Sequence, residues 1–259
     1  LLSGLSCGQS RTPARTVFIR DVVNNAENRV KYYIGAYYLI KLKPVEYGTI
    51  KGLEIYTCSR CINDSFFDSW AISWATTEKK ELEETKQTFN LTDKNVEEIQ
   101  VWADKKLDEE KLGWINTFSD LKTLTEYKEK FFPNDADFEI LSISFPETEL
   151  NKTLDLIKPT ESNSGEIGIY NKLKSKEIDL EKNEFLGYDI IGIEISGDFH
   201  SFHCNDLSSD LKDKFGLKIN EFGLFEKIEN WNEIKEFLSD PMNAEEVPWF
   251  YVKVNRIKI

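Results

Sequence analysis

The sequence predicts an α+β fold: a mixed, mostly antiparallel sheet with flanking helices. Three observations carry this. Val, Ile and aromatic residues crowd the first part of the chain, residues 78–131 take on helical periodicity, and strand and helix patterns alternate from 137 onward. Strands, then helices, then alternation is the order of an α+β protein and not of a doubly wound sheet.

Residues 16–42 read as two strands around the turn-forming Asn24-Asn25, the second containing YYIGAYYLI. GLEIYT (52–57) and SWAISWAT (69–76) are further strands. In the helical region, Thr92 is positioned to cap a helix with Val96, Ile99 and Ala103 on one face. Ser119 is positioned to cap a second, with Leu121, Leu124, Tyr127 and Phe131 inward. DFEILSISF (137–145) alternates as a strand. Pro146 then stands where a helix would begin, with Leu150, Leu154 and Ile157 along one stripe. GYDIIGIEIS (187–196) is a buried strand, and NDLSSDLKDKF follows as a short helix with Asn205 or Asp206 as its cap. Asn230-Trp231-Asn232-Glu233 has the form of a capping box, and PWFYVKVNRIKI closes the chain as a strand.

Residues 16–259 read as a single α+β domain behind a tail of residues 1–15. KPTESNSGE (158–166) marks the place where the domain would subdivide. No apolar run approaches the roughly 18 residues of a membrane-spanning helix. The net charge of −13 disfavours nucleic acid and anionic membrane as partners. Charge is also uneven. Residues 1–60 are net +5, whereas residues 176–246 carry seven basic and eighteen acidic side chains, net −11. An acidic stretch of this kind suits a basic protein partner.

Four scattered cysteines in a chain of 30.1 kDa do not form a disulfide scaffold and fit a reducing cytoplasm. Cys58 and Cys61 have the spacing that lets two thiolates reach one ion. ISGDFHSFHCND holds both histidines, His200 and His203, followed by Cys204. Pooled, these residues have the composition of a Cys2His2 or Cys3His zinc site. Cys204 with His200 or His203 as base and Asp198 behind it would make a nucleophilic set, but groups so close in one turn align poorly. Phosphate-binding loops, nucleophile elbows and HExxH are absent.

LGYDIIGIEISGDFHSFHCNDL, KFGLKINEFGLF and VPWFYVKV resemble the C-terminal pattern of bacterial immunity proteins, the acidic antidotes to polymorphic and contact-dependent toxins. The resemblance spans roughly residues 185–254. It implies a non-enzymatic cytoplasmic protein that needs no cofactor and masks the active site of a basic toxin domain. In that frame HSFHC is an architectural corner. Asp206, Asp210, Asp213, Glu221, Glu226, Glu229, Glu233 and Glu236 are then the candidate contacts. The alternative is a zinc-binding enzyme or zinc-stabilised module built on Cys58, Cys61, His200, His203 and Cys204.

Overall fold

The computed structural model describes residues 30–59, 62, 79–112, 117–134, 137–160, 167–180, 182–194 and 199–258. Five strands lie side by side in the order β1 (Tyr32–Lys41), β4 (Phe138–Pro146), β7 (Trp249–Arg256), β5 (Glu184–Ile193) and β6 (Phe199–Ser201). All four pairings are antiparallel. β2 (Pro44–Val45) and β3 (Leu53–Glu54) form a separate small ladder. The described helices are α1 (Lys79–Thr88), α2 (Asp93–Asp108), α3 (Leu121–Phe131), α4 (Leu150–Ile157), α5 (Ile167–Lys174), α6 (Ser208–Phe215) and α7 (Trp231–Leu238). The fold is therefore α+β as expected, and residues Lys31–Ile259 form one compact unit.

The period of two along each strand sends alternate side chains to opposite faces. One face carries Tyr38, Leu141, Ile143, Phe145, Ile191 and Val252, and packs on α4 and α5 through Leu150, Ile157, Ile169 and Leu173. The other face is covered in two places. At one end Tyr37, Leu39 and Ile140 pack against Ile99, Trp102, Leu124 and Tyr127 of α2 and α3. At the other, Ile190 and Trp249 pack against Leu211, Ile234 and Leu238 of α6 and α7. Covering on both faces explains why YYIGAYYLI is a continuous apolar run and not an alternating one.

Thr92 caps α2 in a reciprocal box with Asn95, and Ile99 and Ala103 are buried as expected. Four local expectations are corrected. Asp120, not Ser119, caps α3, accepting from Thr123 N at 2.8 Å, while the Ser119 hydroxyl donates back to the Glu110 carbonyl. Neither Asn205 nor Asp206 caps α6, since Asp206 adopts a left-handed conformation (φ 52°) and its carboxylate accepts from Thr49 instead. Asn230 is also left-handed (φ 56°), and its side chain makes no cap hydrogen bond. A capping side chain needs an extended backbone. The strand expected over 52–57 is only two residues long, and residues 55–59 continue as a buried arm. The expected strand at 69–76, and the Asn24-Asn25 turn with the strand before it, lie outside the described residues.

Candidate functional site

The two cysteine-bearing stretches meet. The arm 55–59 runs against the corner where β5, β6 and a 3-10 turn (Phe202–Asn205) join, and the contact is made by hydroxyls and one carboxylate. Asp189 of β5 is fully buried. It accepts from Thr57 Oγ1 at 2.5 Å and from Ser201 Oγ at 3.1 Å. Ser59 Oγ lies 3.1 Å from Cys204 Sγ, and Ser201 N donates to the same sulfur at 3.2 Å. Ser201 Oγ in turn accepts from His203 N, which closes a small box that sets the corner.

INEFGLF forms the third side. Asn220 Oδ1 accepts from Phe222 N and Leu224 N, and Nδ2 donates to the Leu186 carbonyl at 2.7 Å. Gly223 takes φ 69°, and a Cβ there would collide with Ile55. Tyr56 N donates to the Phe222 carbonyl at 3.0 Å, and Arg256 lies over both Tyr56 and Phe222 while pairing with Glu139 and Glu184. HSFHC and INEFGLF are thus parts of one joint that fastens the arm to the sheet.

Burial sets the titration of this joint. It pushes the Asp189 carboxyl up to about 7 against the opposing pull of Thr57 and Ser201. Burial also raises the Cys58 thiol well above its ordinary value, with the Asp189 charge adding to the effect. Cys58 is therefore a thiol at neutral pH. His203 Nε2 donates to the Gly223 carbonyl at 2.8 Å, because a carbonyl can only accept. Its Nδ1 is buried without a hydrogen-bond partner among the described residues, so a second proton would have no acceptor. Burial accordingly holds His203 down at about 4.

The predicted zinc ligands face different partners. Cys58 is buried beside Tyr38 and Asp189. His203 is turned to Gly223, and Cys204 to Ser59 and Ser201. His200 stands between Glu194 (2.9 Å) and Glu245 (2.7 Å), one carboxylate at each ring nitrogen. Cys61 and Asp198 lie outside the described residues. Among the described residues, no group of three or more His, Cys, Asp or Glu side chains is placed to hold a metal ion. The His203 ring is not directed at Cys204, so these two do not form a base–nucleophile pair.

The eight candidate contact residues are all exposed: Asp206, Asp210, Asp213, Glu221, Glu226, Glu229, Glu233 and Glu236. Leu211, Leu217, Phe225, Ile234 and Leu238 turn inward from the same stretch, which leaves the charges outward. Asp206 is held by Thr49 and Glu229 by Lys227. The other six are in no ion pair among the described residues. Elsewhere in 176–246, Asp179, Asp189, Glu177, Glu184, Glu194 and Glu245 are buried or paired, while Asp240 and Glu246 are exposed just beyond α7. The outward acidity is therefore concentrated on α6, α7 and the turn between them.

Sequence reasoning missed Asp189, Thr57 and Ser201. The available signal was a lone carboxylate in the apolar run GYDIIGI, which demands buried partners. Compared with known proteins, the chain matches no family model, no curated protein and no solved structure at a significant level. Among the described residues, no helix is long and apolar enough to cross a membrane.

Proposed function

We propose that this protein is a cytoplasmic, immunity-type binding protein that neutralises a basic protein toxin by covering its active site. One observation supports the reading: six exposed carboxylates on α6, α7 and the intervening turn are in no ion pair among the described residues. Unpaired surface carboxylates speed the approach of a basic partner and fix its orientation.

The test co-expresses this chain with the products of the genes adjacent to its own, a basic toxic domain among them being the expected partner. Co-expression is expected to restore growth, and the two chains are expected to co-elute as a complex that weakens as salt rises. Changing Asp210, Asp213, Glu233 and Glu236 to their amides should slow association by about tenfold or more. Absence of both rescue and complex would overturn the reading.

A zinc-stabilised module is the second reading, favoured by the approach of Cys204 to Ser59, which lies between Cys58 and Cys61 in the chain. About one zinc per chain by elemental analysis, lost in Cys58→Ser together with a fall in Tm, would place it first.

A further inference from the structure

The middle of the sheet holds a polar seam that the packing alone does not explain. In β4, Leu141, Ile143 and Phe145 turn to the face packed on α4 and α5, and Phe138 and Ile140 turn to the other. Ser142 and Ser144 therefore share that second face, and both are fully buried. An apolar side chain is the ordinary occupant of such a place. The next strand continues the pattern. In β7, Asn255 stands opposite Ser142 and Lys253 opposite Ser144, and Asn255 is fully buried as well.

A carboxylate crosses over these serines. The segment around 178 follows the outer edge of β1, where Ile34 N donates to the Glu177 carbonyl and Asp179 N to the Tyr32 carbonyl, each at 2.9 Å. From that edge the Asp179 carboxylate is joined to side chains of β7, two strands away. One oxygen, Oδ2, accepts from Asn255 Nδ2 at 2.6 Å and from Lys253 Nζ at 2.9 Å. β4 lies between β1 and β7, so its two small side chains sit under the crossing. On their other side they face Tyr37 and Ile34, which belong to the apolar layer of α2 and α3.

Three polar atoms in this seam are unmet. Ser142 Oγ, Ser144 Oγ and Asn255 Oδ1 are buried with no hydrogen-bond partner among the described residues. Buried hydroxyls and amide oxygens are costly in that condition and are normally satisfied by protein or by ordered water. Side chains directly opposite in an antiparallel pair have Cβ atoms about 5 Å apart, a span that one water oxygen bridges between Ser142 and Asn255. The charges select the same ligand. A cation is repelled by the Lys253 ammonium and an anion by the Asp179 carboxylate. Asn255 Oδ1 needs a donor, whereas each serine hydroxyl both donates and accepts. The fitting ligand is small, neutral and able to do both.

We propose that ordered internal water, held between Ser142, Ser144 and Asn255, is a built part of this fold and joins β4 to β7 beneath the Asp179 crossing. It gives the buried hydroxyls and the amide oxygen the partners that the chain does not supply. This site is separate from the acidic layer and does not depend on the toxin-neutralising reading.

The experiment compares the full chain with its Ser142→Ala/Ser144→Ala variant. Magnetic relaxation dispersion of the water oxygen nucleus counts the molecules held inside each, and urea unfolding measures stability. The variant is expected to lose about one held water or more per chain. Its unfolding equilibrium constant is expected to rise about fivefold or more, because Asn255 Oδ1 loses the water that donates to it. The single variants Ser142→Ala and Ser144→Ala are measured alongside, so a double variant too unstable to study leaves the comparison in place. An equal water count in variant and wild type overturns the proposal. So does an unchanged or raised urea midpoint. That is the result for hydroxyls with no partner at all, since alanine then removes only an uncompensated polar group.

Discussion

Replacing Asp189 by asparagine should turn a nearly flat dependence of stability on pH between 4 and 6.5 into a rising one. The amide keeps the shape and can bond both Thr57 and Ser201, but it cannot ionise. In the folded protein the Asp189 carboxyl is raised from 3.8 to about 7. The folded state therefore holds its proton more tightly than the unfolded chain. That contribution to stability is present below about pH 4 and is lost as pH rises through 7. A rise from 3.8 to about 7 corresponds to about 4 kcal/mol.

His203 works in the other direction. Its pKa falls from 6.5 to about 4 on folding, so its contribution is present above pH 6.5 and is lost as pH falls through 4. Between pH 4 and 6.5 the two slopes oppose each other, and these groups leave wild-type stability nearly flat. In Asp189→Asn only the histidine slope remains, and stability should rise by about 3 kcal/mol across that window. Urea unfolding followed by tryptophan fluorescence at five pH values from 4 to 8 measures this. The difference between variant and wild type should grow by about 4 kcal/mol from pH 4 to pH 8 in favour of the variant. A difference that stays constant within about 0.5 kcal/mol would refute a carboxyl that changes its proton affinity on folding.

Substitutions at three further positions test the joint and the helical layer. Gly223→Ala forces a side chain into a left-handed backbone position and against Ile55, and should cost roughly 2–4 kcal/mol in chemical denaturation. Asn220→Ala removes one donor and a doubly used acceptor from the same turn, for a loss of about 2 kcal/mol; Asn220→Asp should also destabilise, because it loses the donor facing the Leu186 carbonyl. An unchanged midpoint in either Asn220 variant would mean that the turn is held by other contacts. Thr92→Ala opens the α2 capping box and should lower stability by about 1 kcal/mol, seen as a lower Tm with the same folded spectrum.

What the sequence determined by itself was local. The apolar run of β1, the alternation of β4 and β7, the Thr92 cap and the inward stripe Leu124, Tyr127 and Phe131 were legible because each depends on neighbours within one or two turns of the chain. Caps failed where the backbone took a left-handed turn, at Asp206 and Asn230, because composition does not reveal φ. The candidate acidic contacts were legible as charges, but not which of the eighteen acidic groups in 176–246 the fold would keep for itself. Only tertiary structure brought Thr57 to Asp189 across 132 residues, and Ser59 to Cys204 across 145. Only the bulge before Gly187 put Phe185 beside Tyr188. Contacts between residues so distant in the chain are selected by the packing of whole layers, and no short window of sequence carries that information.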